Sequence, residues 1–194
     1  LEGIKYEVVD DRVFASVCDT KTPQGILTVL RIPSYTADQV LGGENPFLIV
    51  LEDLQDPGNV GTILRTAEGA GVTGILVSRR TADLFQPKTI RATMGSIYRM
   101  PVLEVDSAAE FLPELSARGI RTFAAHLNGK ESYRLQDYTG PAAILIGNEG
   151  NGLSDELAAC ADRLVRIPME GQVESLNAAI AAAVLMYEVH GQRH

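Results

Sequence analysis

Three short stretches of the chain gather polar and small residues where apolar segments end, and each could hold a ligand. In the first, DLQDPGNVGTILRT (Asp53 to Thr66), Asp56 suits a helix N-cap and Pro57 the first turn. Gly58 and Gly61 would let another backbone approach closely. Those structural roles leave Asn59 and Arg65 over. Six residues apart, they are expected roughly on the same side of a helix. For Arg65 taken alone, a surface ion pair is the plainer reading. In the second stretch, AAILIGNEGNGLSDEL, an apolar run passes directly into Gly147, Asn148, Glu149, Gly150, Asn151 and Gly152. Three glycines in six residues permit a tight turn whose amides and carbonyls wrap a ligand, although a plain strand-to-helix turn would look similar. Ser154 then suits an N-cap, with Leu157 opening an apolar helical face. The glycine spacing is not the dinucleotide-binding G-x-G-x-x-G, and no Gly-Lys-Ser/Thr follows as in a Walker loop. The third stretch, RIPMEGQVESLNAAIAAAVLMYE, puts Ser175 at the start of a closing helix, where capping is its plainer role, and Asn177 in the first turn. The alanine-rich helix behind them permits close packing on a sheet or on a second subunit.

These stretches serve one site only if a fold brings them together. FLIVLEDL, GILVS, PVLEV, IRTFAAHL, AAILIG and RLVRIP read as strands. Between and after them, Pro57 to Ala70, Pro87 to Ser96, Ala108 to Ala117, Ser154 to Cys160 and Leu176 to Val189 read as helices. The alternation predicts an α/β architecture, a mostly parallel sheet flanked by helices on both faces. In such sheets ligands collect beyond the carboxyl ends of strands, which is where all three stretches fall. Upstream, the first thirty residues contain β-rich pieces and a turn at Lys21 to Gly25, with too little apolar sequence for a core. RIPSYTADQVLGGENP reads as an exposed linker ending near Pro46.

Composition narrows the classes. The 194 residues suffice for one substantial domain, and 45% hydrophobic against 22% charged residues suits a globular chain. With 17 Lys and Arg against 25 Asp and Glu, the net charge is −8, so a whole-chain basic footprint for nucleic acid is absent. The charge is uneven: between Arg79 and Arg99 stand Arg79, Arg80, Lys88, Arg91 and Arg99 against Asp83 alone. That strip suits either phosphate contact or a solvated face. Cys18 and Cys160 are far apart, which argues against a disulfide scaffold or structural zinc site. The longest apolar run, Ala178 to Tyr187, is about half the ~20 residues of a membrane helix, and no basic-then-apolar leader opens the sequence. A soluble cytoplasmic protein without membrane partner or metal is expected.

Together the three stretches resemble the motifs of the SpoU (TrmH-type) family of RNA 2′-O-ribose methyltransferases, in the SPOUT superfamily. The first matches as Asn59-x-Gly61-x-x-x-Arg65, the second as Gly147-x-Glu149-Gly150-x-Gly152-Leu153. The third matches as Ile167-Pro168-Met169 followed by Ser175-Leu176-Asn177. The likeness spans about Asn45 to Glu188, in the family's order and separation. FASVCDTKTPQGILTV is also similar to the segment joining the family's small RNA-binding domain to its catalytic domain. The resemblance implies residues 1–32 as the residual C-terminal part of that N-terminal domain, 33–45 as linker and 46–194 as the methyltransferase domain. It further implies a C-terminal deep trefoil knot, an exception to the usual absence of knots. A homodimer with its active site near the subunit interface is implied as well.

Carried over residue by residue, Gly147, Ile167 and Leu176 would contact S-adenosylmethionine through backbone and apolar atoms, with Ala125 and Met169 in the same cleft. Glu149, Ser175, Asn177 and Asn59 would organise the reacting groups, and Arg65 is the family's key catalytic position. A guanidinium is an awkward base, so Arg65 is expected to hold the ribose-phosphate and stabilise a developing alkoxide, a substrate phosphate assisting proton removal. This chemistry calls for no metal. Of the scattered histidines, His126 follows a strand near the cofactor cleft and is read as structural. Ribosomal RNA is favoured over transfer RNA as substrate because of the linker-like N-terminal segment. Two competing readings remain: a catalytically inactive SPOUT-fold RNA-binding dimer, and a Rossmann-type nucleotide-binding enzyme. The second lacks its fingerprint.

Overall fold

A computed structural model of the chain describes residues 3–18, 20 and 22–194. It divides into two units, Leu1–Ile32 and Pro33–His194. In the first, helix α1 (Asp11–Val17) starts at Asp10, whose carboxylate accepts a hydrogen bond from the Arg12 amide at 2.9 Å. The β-rich pieces expected here form no strand among the described residues. The reason is physical: β-branched residues favour strands through packing, and Val8, Val13, Ile26 and Val29 are all exposed. Of the turn expected at Lys21 to Gly25, Lys21 lies outside the described residues, while Gly25 adopts φ +80°.

The second unit opens with helix α2 (Ala37–Leu41), inside the stretch expected as linker. A capping box between Thr36 and Gln39 starts it, and Val40 and Leu41 are buried against the sheet. These two apolar side chains make part of the stretch structural. Strand β1 (Phe47–Leu51), helix α3 (Pro57–Gly69), strand β2 (Gly74–Ser78), helix α4 (Pro87–Thr93), strand β3 (Val102–Val105) and helix α5 (Ala108–Ala117) follow. The second half comprises β4 (Arg121–Ala125), β5 (Glu131–Ser132), β6 (Ala142–Ile146), α6 (Asp155–Cys160), β7 (Arg163–Arg166) and α7 (Ala178–Arg193). The sheet order is β3-β2-β1-β6-β4-β7-β5, and every pair is parallel. The expected architecture is thus observed; the two-residue edge strand β5 was not anticipated.

Alternate residues of each central strand feed opposite cores. Phe47, Ile49 and Leu51 face α3 and α7 through Val60, Ile63, Leu64, Leu185 and Met186. Leu48 and Val50 meet α2, α5 and α6 through Val40, Leu112, Leu115 and Leu157. Burial on both faces explains why FLIVL and AAILI are continuous apolar runs. Gly61 lets α3 and α4 touch: a Cβ there would strike Ala92 and lie 2.8 Å from the Thr89 carbonyl. The helix expected at 87–96 stops at Thr93, because Met94 and Gly95 take φ of +50° and +89° and turn the chain. Among the described residues, no helix is long and apolar enough to cross a membrane.

The strand order sets the location of the site. From β1 the chain winds outward to β2 and β3, then returns to lay β6 on β1's other side. This reversal opens a crevice beyond the carboxyl ends of β1 and β6, the switch point where open α/β sheets bind ligands. After β7, the chain crosses back to pack α7 on α3 and β6.

Candidate active site

Three segments converge on that crevice: the turn from β1 into α3, the loop from β6 into α6, and the approach to α7. Asp56 caps α3 as expected, accepting from the Asn59 amide at 2.8 Å. Beside it stands Glu149 from the β6 loop. One carboxylate oxygen accepts from the Gln55 amide at 3.0 Å; the other accepts from the Asp56 amide at 3.0 Å and Asn59 Nδ2 at 3.1 Å. Asn59 Oδ1 in turn accepts from Asn177 Nδ2 at 3.0 Å. Asn177 Oδ1 accepts from the Ala179 and Ile180 amides at 2.9 and 3.2 Å. An ionised carboxylate only accepts and a helix N-terminus only donates, so the orientation of each side-chain amide follows from its partners.

The N-cap of α7 is therefore Asn177, and the expectation that Ser175 caps this helix is corrected. The helix begins two residues later than the sequence suggested. Its orphan amides reach the longer Asn side chain, leaving the exposed Ser175 hydroxyl without a partner among the described residues. Partial burial pushes the Glu149 pKa up, but donors from the Gln55 amide, Asn59, the Asp56 amide and its own amide outweigh it. The net shift is downward, so Glu149 is held ionised. With three donors already on its oxygens, it anchors neighbours and is a poor base.

Two adjoining clefts share Glu149, Ser175, Leu176 and Ala178. One, of about 810 Å³, is lined by the polar residues Gln55, Asp56, Asn59, Glu149, Ser175 and Asn177 together with Leu176 and Ala178. The other, of about 920 Å³, runs along the ends of β4, β6 and β7. Gly147, Ile167 and Leu176 all line it, as do Ala125, His126 and Met169. A Cβ on Gly147 would collide with the Gly152 and Leu153 backbone, because the loop folds back across this residue. The Gly152 amide donates to the Asn148 carbonyl at 2.8 Å, closing the expected tight turn, and Ser154 caps α6 with an acceptor for Leu157 at 3.1 Å.

Arg65 stands apart. It is exposed on α3, lines neither cleft and has no ion-pair partner among the described residues. The placement of Asn59 and Arg65 on one helical side is corrected: six residues at 3.6 per turn rotate a side chain by about 240°. The Arg79 to Arg99 strip is also largely neutralised. Arg79 pairs with Asp106 at 2.6 Å, Arg80 with Asp53 at 3.7 Å, Lys88 with Asp56 at 3.4 Å, and Arg99 with Glu68. Arg91 alone in the strip lacks a carboxylate partner among the described residues. The strip's partners come from Asp53, Asp56, Glu68 and Asp106, all distant in sequence from the residues they neutralise.

Sequence reasoning missed three residues that order the site. Asn148 Oδ1 accepts from the Gly150 and Asn151 amides at 3.0 and 3.1 Å, a local turn that an Asn two residues before a Gly could have signalled. Gln55 Nε2 donates to the Asp53 and Arg80 carbonyls. Glu52 accepts from the Ser154 amide and hydroxyl, both at 2.7 Å, tying β1 to α6. The contacts of Gln55 with Arg80 and of Glu52 with Ser154 have no local signal, since those partners lie 25 and 102 residues away. Among the described residues, no cluster of His, Cys, Asp and Glu suits a metal ion.

Comparison with known proteins agrees with this geometry. The model of the SpoU rRNA Methylase family matches residues 46–187. The chain is similar to the Bacillus subtilis 23S rRNA (guanosine(2553)-2′-O)-methyltransferase RlmP, 34% identical over 192 residues, covering 97% of this chain and 74% of that one. It is 38% identical over 151 residues to the putative TrmH family tRNA/rRNA methyltransferase YacO of B. subtilis, covering 78% of this chain and 61% of YacO. Among solved structures it resembles the Streptomyces viridochromogenes SpoU methyltransferase AviRb in complex with AdoMet. There the TM-score is 0.78 and the identity 34%, covering 83% of this chain and 63% of AviRb. The chain thus spans between three fifths and three quarters of the length of these relatives.

Proposed function

Because the chain belongs to the SpoU rRNA methylase family, we propose that it transfers a methyl group from S-adenosylmethionine to a ribose 2′-hydroxyl of RNA. The carrying observation is the Asn59–Glu149–Asn177 network, assembled from three distant segments between a polar cleft and a larger, partly apolar one. The larger cleft fits the cofactor: Ala125, Ile167 and Leu176 offer apolar walls for an adenosine, and the β6 loop adds backbone polar groups. Bound there, S-adenosylmethionine supplies an electrophilic methyl on a sulfonium.

The polar cleft then receives the ribose. Asn59 and Asn177 hold each other, and Glu149 holds Asn59, so the cleft's polar wall is fixed before substrate arrives. Such preorganisation supplies much of the rate when an oxygen must lie in line behind a methyl group. The unpartnered Ser175 hydroxyl, shared by both clefts, is available to orient the ribose. Ribosomal RNA is the proposed substrate, supported by the name of the RlmP relative.

Arg65 serves the site from a second copy of the chain. Its exposure, its lack of an ion pair among the described residues and its absence from both clefts support a homodimer with the active site at the interface. The exposed Ile180 and Tyr187 on α7 supply apolar surface for that contact. The guanidinium holds the ribose-phosphate and stabilises the developing alkoxide. The return of the chain from β7 to α7 across the sheet supports the trefoil knot, and the separate unit at Leu1–Ile32 supports an N-terminal region distinct from the methyltransferase domain. The protein works in the cytoplasm, where its RNA is.

Calorimetric titration with S-adenosylmethionine and its demethylated product tests the cofactor site. Transfer of a labelled methyl group to ribosomal RNA tests the reaction. Saturable binding near one ligand per protomer, with label in 2′-O-methylated nucleotides, is expected. A folded dimer that binds neither ligand favours the catalytically inactive RNA-binding reading.

A further inference from the structure

Asp53 and Met94 are the two described non-glycine residues with positive φ. Met94 terminates α4, whereas Asp53, at φ +55°, sits between β1 and α3, two residues before the amides that hold Glu149. A left-handed backbone is unfavourable for a side chain with a Cβ and persists where its surroundings fix it. Here the fixing group is Ser78, at the end of β2 and 4% exposed. Its hydroxyl accepts from the Asp53 amide at 2.8 Å and donates to Asp53 Oδ1 at 2.6 Å. Asp53 Oδ2 lies 3.7 Å from Arg80 Nη1. The turned Asp53 carbonyl accepts from Asn148 Nδ2 at 2.8 Å, and Asn148 orders the loop that carries Glu149.

We propose that Asp53, locked in its left-handed turn by Ser78, is a positioning residue for Glu149. It aims the Gln55 and Asp56 amides at the carboxylate and holds Asn148 beside it. The proposal rests on the reading of Glu149 as an active-site organiser. Loosening the turn withdraws donors that favour ionised Glu149, so its carboxyl should titrate at higher pH. The charged and titratable groups around it are Asp56 paired with Lys88, Asp53 beside Arg80, and His126, Arg166, Glu170 and Glu174 lining the larger cleft. Removing the Asp53 charge alone would act in the opposite direction, since a carboxylate ionises more readily with fewer negative neighbours.

The test is an NMR titration of carboxyl-labelled glutamates in the full chain, with Glu149 assigned by mutation, on Asp53→Ala, Asp53→Asn and Ser78→Ala. Thermal melts check folding. Asp53→Ala and Ser78→Ala are expected to move the Glu149 midpoint upward. In methyl transfer, kcat should fall about tenfold or more with little change in cofactor KM, as for a misplaced orienting group. Asp53→Asn keeps an acceptor and tolerates the left-handed turn, so it should hold the midpoint near wild type or lower and recover most of the lost kcat. Should Asp53→Ala not fold, Ser78→Ala decides, because it breaks the lock and leaves the Asp53 charge. An unmoved Glu149 midpoint in folded Ser78→Ala, which breaks the lock and keeps the Asp53 charge, overturns the proposal even if transfer is active. A wild type that transfers no methyl group, with the midpoint still shifting in the variants, keeps the positioning and sinks the methyl-transfer reading.

Discussion

Replacing Glu149 by glutamine exchanges one carboxylate oxygen for an NH2 group and isolates what the carboxylate does for the fold. In the native site its two oxygens receive three donors, from the Gln55 and Asp56 amides and Asn59 Nδ2. Glutamine has one carbonyl oxygen, best placed where two donors meet, beside Asp56 and Asn59. Its NH2 group then faces the Gln55 amide, donor against donor. Charge assistance is lost from the surviving bonds, and one amide loses its partner. These losses amount to about 1–2 kcal/mol, toward the lower end because water reaches Gln55 and Asp56. At 194 residues that is a fall in Tm of about 2–8 °C at neutral pH. The pH dependence has a definite sign. The folded pKa is depressed below the ordinary 4.5, so the contribution is fully present above 4.5 and is lost as pH falls through the folded value. Calorimetric melts of both proteins from neutral to acid pH should show a gap that closes below 4.5. A gap that is absent at neutral pH, or equally wide in acid, would refute the assignment of these bonds to an ionised Glu149.

Arg65→Ala should abolish methyl transfer while leaving cofactor affinity within about twofold, since Arg65 touches neither cleft. Mixed dimers of Arg65→Ala and Asn177→Ala chains should regain transfer if the guanidinium acts across the interface; mixtures as inactive as the parents place Arg65 on its own subunit's site. Gly147→Ala should weaken S-adenosylmethionine binding by about tenfold or more, because the added methyl displaces the Gly152–Leu153 backbone from the cleft wall. Unchanged calorimetric affinity would remove that backbone from the cofactor site. Glu68, whose pKa is lowered to about 2 by Arg99 and Ser96, ties α3 to the turn after α4. Its stabilisation should be complete above 4.5 and fade toward pH 2, and Glu68→Gln should flatten that part of the acid melting profile.

The strands around the site were legible because burial on both faces writes an unbroken apolar run, as in FLIVL and AAILI. Asp56 and Ser154 were legible as caps because a cap acts on amides two or three residues away. Glu149, Asn59 and Asn177 could be named from the motif resemblance, but their mutual bonds span 90 and 118 residues and have no local signature. The same distance hid the neutralisation of the basic strip. Ser175 was misread because both it and Asn177 can cap, and only the starting point of α7 decides between them. The N-terminal strands failed for the opposite reason: their valines had strand propensity without a sheet to join.

The pairing of β1 with β6 joins Phe47 to Ala142 and Leu51 to Ile146, and the crevice lies on that seam. Closing a loop of roughly 95 residues forfeits chain entropy on the order of 4 kcal/mol, and parallel pairing across such a span is a slow event in folding. The crevice therefore exists only once that long-range pairing has formed. Chemical competence arrives late and all at once, so a misassembled chain is silent instead of indiscriminate. Any change that weakens the β1–β6 seam should therefore cost ligand binding together with stability.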